Sequence, residues 1–279
     1  MVGESRSRAA TEPELGRGPA GLACETVVSA EGAERTAGPA TVVLTHNKVR
    51  LALHRLRPAR PAAGTGRRPL LLLHGLGERT PDETPAELDG WPGEIWGLDF
   101  TGHGRSTVPK GGGYTCELLM GDADLALAHL GPVTLCGRGL GGYVAVLLAG
   151  ARPELVRGTV VCDGPGLAGR PATTTAASAP LDTNVPAHDG DRSDGDRSDG
   201  AGDGAGPPDR YALHELGGDV RAGEYAAGYA SEAVRRSGLG PAVVVCARDR
   251  PAWLAAVLEV DGVETGDGLD LAEAVGRFG

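Results

Sequence analysis

The run Val133-Thr134-Leu135-Cys136-Gly137-Arg138-Gly139-Leu140-Gly141-Gly142 reads as a buried strand, a sharp turn and the start of a helix. A turn of this kind, with the pattern G-x-S-x-G, lifts its central side chain clear of the sheet so that a hydroxyl or thiol can attack a carbonyl. The central position here is Gly139, which has no side chain and so no nucleophile. The turn keeps a second kind of chemistry: the positive end of the following helix holds a carboxylate, phosphate or enolate without any attacking group. Arg138, one residue before the gap, either strengthens that preference or turns away into an ion pair.

Other residues could carry chemistry nearby. His74 and His103 sit where strands end, the edge at which open α/β sheets bind ligands, and are candidate bases with a structural role as the competing reading. Cys136 precedes the turn on an apolar strand and reads as a core thiol. Asp163 ends the next strand, as a functional carboxylate or as the cap of a turn. Gly137-x-Gly139-x-x-Gly142 also satisfies the dinucleotide fingerprint, although it follows at least three strands rather than opening the first strand-helix-strand unit. The aspartates Asp189, Asp191, Asp194, Asp196, Asp199 and Asp203 lack the spacing of a calcium loop, and arginines interleave them, so no metal site is expected.

Alternating strands and helices must position these residues. Ala40 to His54 suggests a β-hairpin around His46-Asn47-Lys48, and Leu70 to Leu73 is a fully buried strand. Further strands are expected at Ile95–Leu98, Thr159–Cys162 and Ala242–Cys246, with a weak one at Leu258–Val260. Helices are expected over Tyr114–Leu130, from the turn to about Gly150, near Trp253 and over Leu269–Phe278. The order implies a mostly parallel sheet with helices on both faces. Residues 1–39 and 171–208 lack periodicity and are expected to be a disordered tail and a disordered insert.

With 279 residues, one domain over 40–279 is expected. A net charge of −10 argues against a nucleic-acid surface or an anionic membrane as partner. Five widely spaced cysteines, Cys24, Cys116, Cys136, Cys162 and Cys246, with no C-x-x-C pair, fit a reduced, cytoplasmic setting. No apolar run reaches the 18 or so residues that span a bilayer.

Three motifs in order resemble the α/β-hydrolase superfamily. Leu71-Leu72-Leu73-His74-Gly75-Leu76-Gly77 is similar to its oxyanion strand-loop, Asp99 to Ser106 to its D-x-x-G-x-G-x-S loop, and Gly137 to Gly142 to G-H-S-L-G-G. The resemblance is strong over 40–165 and weak over 240–279. It implies an oxyanion hole at the Leu76 and Leu140 N–H groups, with His74, Gly75 and Arg138 beside it. It puts the nucleophile position on Gly139, the acid on Asp249 and the histidine on Asp267, and no histidine follows His214. Residues 209–240 would form a reduced lid over a rather open pocket. The expectation is therefore a member with a degenerate triad that binds a small anionic or carbonyl-containing ligand, or a partner, without a cofactor. The alternatives are a serine-independent lyase, isomerase or cyclase using Asp249 and Asp267, or a residual hydrolase using Asp249, and, more remotely, a dinucleotide-binding protein.

Overall fold

A computed structural model of the chain describes residues 40–60, 67–167, 206–266 and 268–279. The expected tail, residues 1–39, and the expected insert as far as residue 205 lie outside the described residues. β1 (Ala40–His46) and β2 (Val49–Arg57) form the hairpin, with His46 paired to Val49 across Asn47-Lys48. Asn47 takes φ 54°, the left-handed conformation that a two-residue hairpin turn asks for and asparagine tolerates.

β3 (Leu70–Leu73), β4 (Ile95–Leu98), β5 (Val133–Arg138), β6 (Val156–Cys162), β7 (Val243–Val245) and β8 (Val263–Thr265) complete one sheet. Its order is β1-β2-β4-β3-β5-β6-β7-β8. β2 runs antiparallel to both neighbours, and every pairing from β4 to β8 is parallel.

The central strands are apolar throughout because helices cover both faces. Successive side chains point to opposite sides, so Leu71 and Leu73 enter one core while Leu70 and Leu72 enter another. The larger core is shared with α1 (Cys116–Leu130), α2 (Leu140–Ala151), α3 (Arg210–Gly217), α4 (Gly223–Ser237) and α5 (Ala252–Leu258). The smaller is closed by α6 (Leu271–Gly276) and a 3₁₀ turn at Ala86–Leu88.

One expectation needs correction. The segment expected as a weak strand at Leu258–Val260 begins with the last residue of α5, because Trp253, Leu254 and Val257 bury one helical face; the strand forms at Val263–Thr265 instead. The segment 209–240, expected as a reduced lid, folds as two helices, α3 and α4. α4 packs on α2 and α5 through Ala226, Ala230 and Ala233, small residues that let helices approach closely, so only α3 lies over the loops.

Candidate functional site

Between the last residue of β5, Arg138, and the first of α2, Leu140, the whole change of direction falls on Gly139, at φ 48° and ψ −111°. A side chain held in such a conformation costs roughly 1–3 kcal/mol, which active sites bear in order to project a nucleophile. Glycine adopts it without that cost. A Cβ built on Gly139 would fall on the Pro165 carbonyl oxygen and on Gly164. The segment following β6 thus fills the space that any side chain at this position would need.

The amides around this point converge. Leu76 N–H, from the loop after β3, and Leu140 N–H, at the start of α2, both donate to the Pro165 carbonyl oxygen, at 2.9 and 3.0 Å. Two backbone donors aimed at one oxygen is the arrangement that stabilises an oxyanion. The sheet order, the antiparallel β2 and the elbow between β5 and α2 now stand together. This is the α/β-hydrolase fold.

No protein-family model matches the chain, and no curated protein does. Among solved structures it is similar to the thioesterase domain from the curacin biosynthetic pathway, at 21% identity and TM-score 0.40 over 50% of this chain and 49% of that one. It is similar to epoxide hydrolase A from Mycobacterium thermoresistibile, at 22% identity and TM-score 0.36 over 48% and 40%. An α/β-hydrolase fold protein from Chitinophaga pinensis matches at 20% identity and TM-score 0.38 over 45% and 44%. The match spans about half the length of these proteins or less.

The remaining candidates take structural positions. His74 is buried: its Nε2 accepts the Phe100 N–H at 3.1 Å, which leaves Nδ1–H to donate to the Gly75 carbonyl at 2.8 Å. Burial, reinforced by neighbouring His103, lowers its pKa to about 4, so it is a neutral ring with both nitrogens engaged. His103 is held the same way, Nε2 accepting the Gly77 N–H and Nδ1–H donating to the Thr101 carbonyl, each at 3.2 Å. Burial lowers its pKa as well. Neither ring offers a lone pair to a substrate in this arrangement.

Arg138 follows the ion-pair alternative. Its Nε and Nη2 donate to the two carboxylate oxygens of Glu78 at 3.1 and 3.0 Å, and Glu78 also accepts the Gly75 N–H at 3.0 Å. Asp163 caps a turn, accepting the N–H groups of Arg248 and Asp249 at 2.8 and 2.9 Å through one oxygen. Asp249 is exposed on that turn, and β8 ends two residues before Asp267, which lies outside the described residues. Cys136 is buried, its sulfur 3.9 Å from Cys162, as a core thiol would be.

Where an open pocket is expected, the Leu76 and Leu140 amides are occupied by the Pro165 carbonyl, and the same segment lies over Gly139. α3 adds cover, with Leu213 reaching Gly77. Sequence reasoning missed Pro165 and Glu78. Pro165 acts through its carbonyl, a group every residue has, and the only hint was Gly164-Pro165-Gly166 directly after a strand. Among the described residues no cluster of three or more His, Cys, Asp or Glu side chains could hold a metal ion. No helix among them is long and apolar enough to cross a membrane.

Proposed function

We propose that this chain is a binding protein on an α/β-hydrolase scaffold, without serine-hydrolase turnover. Its ligand is a small molecule that offers a carbonyl or carboxylate oxygen to the Leu76 and Leu140 amides in place of Pro165. One observation supports this reading above the others: both amides are aimed at a carbonyl oxygen at hydrogen-bond distance while the nucleophile position beside them is glycine. The internal carbonyl stands in for the ligand's oxygen. An incoming ligand exchanges two hydrogen bonds for two, so the balance rests on moving Gly164 to Gly166 and on what else the ligand buries. Asp249, exposed on its turn, gives the proton-transfer alternative no comparable support.

The test is a titration of the isotopically labelled full chain with butyrate, butyramide and ethyl butyrate, followed by NMR at the amides of Leu76, Leu140 and Gly166. Saturable shifts centred on these amides are expected for at least one ligand class. No shift there up to tens of millimolar, with all three compounds, would overturn the reading.

A further inference from the structure

A cavity of about 180 Å³ shares no lining residue with the elbow. Thr41, His54, Thr80, Asp99 and Arg105 are among its lining residues. Three of them form a chain. Thr41 Oγ1 lies 2.9 Å from His54 Nδ1, and His54 Nε2 lies 3.0 Å from Asp99 Oδ2. β1 and β2 set the first contact, since Thr41 and His54 are partners in the hairpin register; the loop after β4 sets the second.

Each end of the chain has the exposure its role requires. Asp99 is 2% exposed and fixed by the N–H groups of Thr80 at 2.8 Å and Arg105 at 2.9 Å, while Thr41 is exposed. Burial alone would raise the Asp99 carboxyl, but the bonds from His54, Arg105 and Thr80 more than offset it and hold its pKa at about 2. Gly104 permits that approach, because a Cβ there would meet the Asp99 carboxylate. An ionised carboxylate on Nε2 selects the Nε2–H tautomer and leaves Nδ1 as the acceptor of the threonine hydroxyl proton. Thr80, 4% exposed, brings a buried hydroxyl oxygen with no partner among the described residues to the same wall.

We propose that Thr41, His54 and Asp99 form a reactive site apart from the elbow, a hydroxyl-imidazole-carboxylate relay that accepts a short acyl group from an activated ester or thioester. Thr41 Oγ1 bonds to the acyl carbon as its proton passes to His54 Nδ1. The bond from that carbon to the leaving oxygen or sulfur breaks, and the leaving group takes the proton from Nδ1. Asp99 stays ionised and orients the ring. The cavity sits below the ~300–1,000 Å³ of pockets for drug-sized ligands, so the acyl group is acetyl- or propionyl-sized.

The experiment incubates the full chain with p-nitrophenyl acetate and p-nitrophenyl octanoate, then locates any acyl group by peptide mass spectrometry and follows nitrophenol release. One acetyl group on Thr41 is expected, with octanoyl transfer at least ten-fold slower. Thr41→Val, which keeps the strand and its exposed surface, should lose the label, and His54→Gln should slow labelling at least ten-fold with Thr41 still present. Acetylation absent from Thr41 in the native chain, or equally fast in His54→Gln, would overturn the proposal. The result is independent of ligand binding at Leu76 and Leu140, which the amide titration reads separately.

Discussion

At Gly139 the backbone is held in a conformation that L side chains rarely adopt, and the space a side chain would need holds another part of the chain. Restoring a serine there tests which of the two governs. Gly139→Ser adds a Cβ that collides with Pro165 and a residue with φ 48°, so the Gly164 to Gly166 segment must shift. The expected cost is about 1–3 kcal/mol, read as a lower chemical-denaturation midpoint at unchanged slope. No esterase activity should appear at the new hydroxyl, because the rings of His74 and His103 are already engaged at both nitrogens. Labelling of the Gly139→Ser variant at its new hydroxyl by a fluorophosphonate probe, at the rate of an ordinary serine esterase, would show an unrecognised base beside the elbow.

α3 is held over the loops by polar bonds at its ends as well as by Ala212 and Leu216 in the core. Asp209 caps its start and accepts the Tyr114 hydroxyl at 2.6 Å, and Glu215 accepts the N–H groups of Gly113 and Tyr114 at 2.8 and 2.6 Å. Glu215→Ala removes the carboxylate that accepts both backbone N–H groups. Bonds to a charged acceptor contribute roughly 1.5–3 kcal/mol each, less where water competes, so local protection should suffer before global stability does. Hydrogen exchange at Gly113, Tyr114 and α3 should speed up at least ten-fold while β3 and β5 keep their protection; unchanged exchange at Gly113 and Tyr114 would mean that α3 is positioned by its apolar face alone. The strands that hold the site were legible because Leu70 to Leu73 and Thr159 to Cys162 are short apolar runs bounded by turn residues. The packing of α4 on α2 and α5 was not legible, because the apolar face of Tyr225, Tyr229 and Val234 carries no sign of what it packs against. The plug at Pro165 was illegible for a different reason: a carbonyl placed by tertiary folding leaves no mark in residue types.

Across the whole molecule, buried titratable groups give opposing pH dependences. His74, lowered from 6.5 to about 4 by burial and then by His103, contributes stability that is present above pH 6.5 and lost as the pH falls toward 4. Asp99, lowered from 3.8 to about 2, adds stability that is present above pH 3.8 and lost between there and pH 2. Asp122 on α1 acts in the other direction. Burial lifts its carboxyl from 3.8 to about 7 although Thr101 donates both its N–H, at 2.8 Å, and its hydroxyl, at 3.0 Å. Its contribution is complete below pH 3.8 and disappears as the pH rises through 7, so between pH 4 and 7 it offsets part of the loss at His74. Asp122→Asn keeps the shape: the amide oxygen accepts the Thr101 N–H, and the amide nitrogen donates to the Thr101 hydroxyl. The variant should melt on the order of 5 °C above the native chain at pH 8. That advantage should shrink steadily toward pH 4, so that the variant's stability falls more steeply with acid than the native chain's. A difference in melting temperature that stays constant from pH 4 to pH 8 would mean that Asp122 does not change its charge over this range. His74 and Asp122 both bond to the segment that Asp99 begins, through the N–H groups of Phe100 and Thr101, so a constant difference would leave His74 and Asp99 to account for the pH dependence of that neighbourhood.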